Sequence, residues 1–88
     1  MSWKINIRAR AEQDIEWLDA PIRRRVKEKL AWFLEHADET ISLRLGFDLR
    51  GFFKLRVGDW RIMYEVKETE GEIIVHGVDH RSKVYKRK

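Results

Sequence analysis

The chain of 88 residues carries 19 Lys and Arg against 15 Asp and Glu, a formal net charge of +4. Hydrophobic residues at 43% exclude intrinsic disorder, and the lack of cysteine excludes a disulfide framework, a thiolate metal site and a cysteine nucleophile. The length suits one domain over residues 1–88, in which stability and function share a small core. The opening "MSWKINIRAR" is charged where a signal peptide needs an apolar run, and no apolar stretch approaches membrane-spanning length, so a soluble cytoplasmic protein is expected. The basic excess leans toward an anionic partner.

"WKINI", residues 3–7, alternates about Ile5 and Ile7 and predicts a first strand. Ala11, Ile15 and Leu18 follow at helical spacing and predict a short amphipathic helix. At 19–21, Asp19 offers a cap and Pro21 suits a first helical turn; Ile22, Val26, Leu30, Phe33 and Ala37 then share one face of a longer second helix. Its other face carries Arg23, Arg24, Arg25, Lys27 and Lys29, which read as solvated helix surface rather than a dedicated nucleic-acid patch. "TISLRLGFDLRG", residues 40–51, mixes alternation with two glycines and is assigned neither strand nor loop. Two strands joined by a turn follow in "FFKLRVGDWRIMYEV", residues 52–66, then a third β-rich run in "GEIIVHGVDH" and a basic tail "RSKVYKRK". The order β-α-α-β-β-β predicts an α+β domain with two helices packed on one face of a mainly antiparallel sheet.

Glycine in the first position of a Gly58-Asp59 turn predicts type II′ and sets the register. Val57 then faces Trp60, Leu55 faces Ile62, and Phe53 faces Tyr64 on the face that meets the helices. On the reverse face Arg56 lies opposite Arg61, with Lys54 and Phe52 further along the same strand. Like charges opposite one another destabilise a sheet by a few tenths of a kcal/mol, on the order of other cross-strand pair energies. For two arginines alone, splaying into water suffices as the account. Lys54 as a third cation shifts the balance toward a phosphate site, because guanidinium groups present forked donors to phosphate oxygens.

Pairing Val66 with Ile73 registers the third strand and brings His76 and Val78 to the cationic face, with His80 and Arg81 leaving the sheet beside Arg61. His76, flanked by Ile74 and Val78, reads as a partly buried structural histidine. The tail is a candidate for fraying, yet Val84 and Tyr85 are apolar and aromatic enough to fold back and carry Arg81 and Tyr85 to that face. His36, His76 and His80 show no ligand spacing for a metal, no acidic cluster is foreseen on the cationic face, and no cofactor is expected.

"LRVGDWRIMYEV" at 55–66 and "HRSKVYK" at 80–86 resemble the RelE/ParE superfamily of small toxins from type II toxin-antitoxin pairs, and the resemblance covers essentially the whole chain. It implies a RelE-like fold, with an antitoxin as partner. RelE-type members cut messenger RNA on the ribosome, whereas ParE-type members poison DNA gyrase and lack the nuclease residues. Lys54, Arg56, Arg61, Arg81 and Tyr85 resemble the RelE-type catalytic constellation, and His80, Lys83 and Lys86 would contact RNA. Position 56 is arginine where the best-known members carry a second lysine.

RNA cleavage through the 2′-hydroxyl requires a base, cations for the crowded phosphorane and an acid for the departing 5′-oxygen, and no metal. The resemblance makes Lys54 the base, prepared by repulsion from its arginine neighbours. Arg61 would clamp the scissile phosphate and Arg56 an adjacent one, Arg81 or His80 would serve the leaving oxygen, and Tyr85 would stack on or orient a base. The alternatives are a non-enzymatic gyrase inhibitor and a nucleic-acid-binding module without catalysis.

Overall fold

The computed structural model describes residues 2–44 and 51–84. Strand β1 (Lys4–Ile7) is followed by helices α1 (Ala9–Glu16), α2 (Ala20–Glu35) and α3 (Ala37–Arg44), then strands β2 (Phe53–Val57), β3 (Trp60–Lys67) and β4 (Glu72–His80) and a single turn of helix, α4 (Arg81–Val84). The strands form one sheet in the order β1-β4-β3-β2. β2, β3 and β4 run antiparallel as a meander, and β1 adds to the outer edge of β4 in parallel.

Helical periodicity accounts for the packing. Ala11, Ile15 and Leu18, from α1 and the turn after it, and Val26, Leu30 and Phe33 from α2 are buried against Leu55, Ile62, Tyr64, Val66, Ile73 and Val75 of the sheet. The Phe33 ring meets Tyr64 edge-on at 4.9 Å. Burying a side chain of this size contributes about 1.5–3 kcal/mol each. Pro21 sits in the first turn of α2 as predicted, and Asp19 occupies the N-cap position, but its carboxylate makes no capping hydrogen bond. Ala37, read as the end of the second helix, opens α3, which claims the start of the unassigned stretch and buries Ile41 in the core. Asp38 in its first turn accepts a hydrogen bond from Trp3 Nε1 at 2.6 Å, tying α3 to the start of the chain.

The β2–β3 register is the expected one at every pair from Phe53–Tyr64 to Val57–Trp60. Gly58 has φ +58° and Asp59 does not share the positive sign, the type II′ pattern. The pairing of Val66 with Ile73 also holds, but the register shifts between Met63 and Tyr64, leaving His76 as an extra residue of β4. The expected placement of Val78 on the cationic face is therefore corrected. Val78 pairs with Ile62 in the core, where it is 2% exposed, and Asp79 takes the place opposite Arg61. The reason lies in the spacing: Ile73 and Val75 are two apart, Val78 is three further on, and only a bulge puts all three on one face. Gly77, beside the extra residue, is a residue type that suits such an irregularity.

Candidate functional site

The face of the sheet away from the helices carries the cations. Arg56 and Arg61 are cross-strand partners, and Lys54 stands two residues from Arg56 on the same side of β2, opposite Met63. The two guanidinium groups do not simply splay into water. Arg61 Nη1 donates to the carbonyls of Gly58 and Trp60, both at 2.9 Å, and Arg56 Nε donates to the Gly58 carbonyl at 3.4 Å. The carbonyl dipole of the turn offsets the like-charge repulsion, while Nε and Nη2 of Arg61 keep donors for an anion.

Two further arginines reach the same turn. The backbone N–H of Arg81 donates to the Asp59 carbonyl at 2.7 Å, and its Nε lies 3.8 Å from the Asp59 carboxylate. That ion pair is well exposed and contributes little stability, so the backbone bond positions the start of α4. From the helix side, a Cβ placed on Gly58 would lie 3.1 Å from Arg25 Nη2. From the sequence Arg25 reads as solvated helix surface, and no signal local to α2 reveals that it meets a turn more than thirty residues away. A groove of about 390 Å³ runs between α2 and the end of β2, lined by Arg25, Lys29, Trp32, Arg56 and Gly58 among others. Lys29 Nζ lies 4.4 Å from the centre of the Trp32 ring, a cation–π contact.

Two separate acidic groups, Asp79 and Glu65, also take positions on this side of the sheet. Asp79 pairs with Arg61 in the strand register. Burial, then the negative charge of Asp14, pushes its carboxyl above the ordinary value, against the pull of Arg10 and Lys83. Glu65 accepts a hydrogen bond from His76 Nε2 at 2.9 Å and pairs with Lys67 at 3.1 Å. The His76 contact first and the Lys67 contact second hold the Glu65 carboxyl below its ordinary value. His76 thus has the structural partner expected of it. Met63 and Ile74 are buried on this side too, so the face is not wholly charged.

His80 pairs with Trp60, and their rings meet edge-on at 5.4 Å. Its Nδ1 accepts from the Ser82 N–H at 3.3 Å and contacts Ser82 Oγ at 3.0 Å, so the histidine caps the turn into α4. Lys83 is exposed on α4. Tyr85 and Lys86 lie outside the described residues, as does the folding back of Tyr85. Arg56, Arg61 and Arg81 thus meet at the turn end of the hairpin, and Lys54 lies on the face of Arg56, two residues further from the turn. His80, expected beside Arg61, is corrected: the bulge sets it opposite Trp60, on the other side of the sheet from Arg61. Among the described residues no group of three His, Asp or Glu side chains is placed to hold a metal ion.

The model of the ParE toxin of the type II toxin-antitoxin system parDE matches residues 5–85. No curated protein sequence matches the chain. Among solved structures, the archaeal RelE-RelB complex of Pyrococcus horikoshii is similar in fold, with TM-score 0.72 at 21% identity over 94% of this chain and 99% of that one. A free Escherichia coli RelE carrying two arginine-to-alanine substitutions gives TM-score 0.67 at 28% identity, over 98% of this chain and 93% of that one. The toxin of the intact Escherichia coli RelBE complex gives 0.65 at 26% identity, over 89% and 95%. The hairpin and helices described above are thus built on a known frame, and the chain belongs to the family of ParE toxins of type II toxin-antitoxin systems, within the RelE/ParE superfamily.

Proposed function

We propose that residues 1–88 form one toxin domain of the RelE type, a metal-independent endoribonuclease that cuts messenger RNA on the ribosome in the cytoplasm. The observation that carries this reading is that Arg56, Arg61 and Arg81 meet at the turn of the β2–β3 hairpin, with Lys54 further along the face of Arg56 and Arg61. Such an array suits phosphoryl transfer through the 2′-hydroxyl. Lys54 takes the hydroxyl proton, Arg61 and Arg56 neutralise the phosphorane, and Arg81 or His80 serves the departing 5′-oxygen. Tyr85 orients a base, while Lys83 and Lys86 hold the RNA backbone. Several of these side chains are well exposed, so positioning by a large ribonucleoprotein partner contributes much of the rate. RelB antitoxins accompany RelE in solved complexes similar to this chain, and an acidic antitoxin segment is the complementary partner for its cationic face.

The test is cleavage of messenger bound to purified ribosomes, with the ends of the products identified. Cleavage that leaves a 2′,3′-cyclic phosphate and a 5′-hydroxyl supports the reading, and a 5′-phosphate product overturns it. A second reading, inhibition of DNA gyrase without nuclease activity, is favoured by the match to the ParE model. It predicts intact messenger together with loss of supercoiling by purified gyrase.

A further inference from the structure

We propose that Phe52, Glu65 and His76 form a nucleobase subsite beside Lys54, in which an unpaired base stacks on Phe52 and donates a hydrogen bond to Nδ1 of His76. The inference rests on the RNA-directed reading above. Continuing the β2–β3 register by one residue sets Phe52 opposite Glu65, and makes Glu65 a diagonal neighbour of Lys54. The three side chains therefore share the cationic face with the proposed base, further along the hairpin from the arginine cluster.

The local geometry is built rather than incidental. The bulge in β4 turns His76 toward Glu65, and bulges serve to re-aim a side chain. Both carboxylate oxygens of Glu65 are engaged, Oε1 with His76 Nε2 and Oε2 with Lys67 Nζ. That contact places the proton of a neutral ring on Nε2 and leaves Nδ1 as an acceptor. Nδ1 makes no hydrogen bond among the described residues, and the side chain is 33% exposed. Phe52 is 69% exposed, and its ring meets that of His76 edge-on at 4.8 Å. A brace across the bulge accounts for Nε2 and Glu65, but not for an open aromatic ring at their side. An exposed aromatic next to a fixed hydrogen-bonding group and a lysine is the combination that takes an unpaired base and its phosphate.

Binding of short single-stranded oligonucleotides to the full chain tests this, with the Phe52 and His76 ring resonances followed by NMR. The 2′-deoxy form lacks the nucleophile, so binding is read without cleavage, and ribosomal messenger cleavage is measured in parallel. Both rings should shift on binding. Phe52→Ala should weaken affinity roughly tenfold with unchanged melting, Phe52→Trp should restore it, and His76→Ala should flatten differences among bases. Unshifted rings, unchanged affinity in both alanine variants, or losses confined to antitoxin binding would each overturn the subsite. A parent protein that binds with ring shifts yet leaves ribosomal messenger intact overturns the ribonuclease reading and keeps the subsite. Cleavage by the parent with silent rings removes the subsite alone.

Discussion

The two faces of the hairpin contrast sharply, although they are built from alternate residues of the same strands. On the helix side Leu55, Ile62 and Tyr64 are buried against Phe33. On the other side Lys54, Arg56 and Arg61 present charge within one residue of that core. Stability is concentrated on one face and the proposed chemistry on the other, so neighbouring substitutions should separate them.

The largest expected effect is on the covered face. Phe33 is fully buried, and Phe33→Ala should cost about 3–5 kcal/mol by leaving a cavity beneath Tyr64. Calorimetry should show melting lowered by about 12 °C or more in a domain this small. A drop of a few degrees would mean that the helices contribute less to the fold than their burial indicates.

Arg61→Gln carries the contrast to the open face. Loss of a cation facing the developing phosphorane charge should reduce messenger cleavage about a hundredfold or more. Relief of like-charge repulsion from Arg56 would by itself leave the fold neutral or slightly stabilised. The hydrogen bonds from Nη1 to the Gly58 and Trp60 carbonyls reverse that sign, and a net cost of about 1 kcal/mol is expected in urea melts. Unaltered cleavage would take Arg61 out of the mechanism, and raised stability would show that repulsion from Arg56 outweighs those bonds.

The glycine turns differ from each other in what surrounds them. Gly71 has φ +60°, and a Cβ there would lie 2.6 Å from the Ser2 backbone carbonyl, whereas at Gly58 the obstacle is the end of the Arg25 side chain. Gly71→Ala should therefore cost about 2 kcal/mol or more, and Gly58→Ala about 1 kcal/mol. Equal shifts of the urea midpoint would show that the backbone near Ser2 yields as readily as an arginine.

The smallest effects, a few tenths of a kcal/mol by the scale of partly exposed pairs, concern pH. Glu65 is held below its ordinary value of 4.5, so the stability it contributes is present above that value and is lost as pH falls through its folded value. Asp79 is raised above 3.8; the folded state keeps its proton longer, and stability falls as pH rises from that value through the folded one. Acid urea melts of Glu65→Gln and Asp79→Asn should thus depart from the parent in opposite directions. Departures of the same sign would remove one of the two environments.

Local rules reach far in this chain because its periodicities are strong. The stripe of Val26, Leu30 and Phe33, the turn at Gly58 and the opposition of Arg56 to Arg61 are consequences of spacing and of glycine's access to positive φ, and the sequence alone determined them. The resemblance carried by residues 55–66 and 80–86 likewise named the superfamily. What spacing did not determine is whatever depends on a break in period or on a distant partner. The extra residue at His76 moved Val78 into the core and Asp79 opposite Arg61, and the gap of three between Val75 and Val78 was its only local trace. The approach of Arg25 to Gly58, the pairing of β1 with β4, and the anchoring of Arg61 on turn carbonyls were decided by tertiary packing. A helix propensity or strand alternation specifies which face a side chain takes, but the group it meets is chosen only when separate elements are brought together.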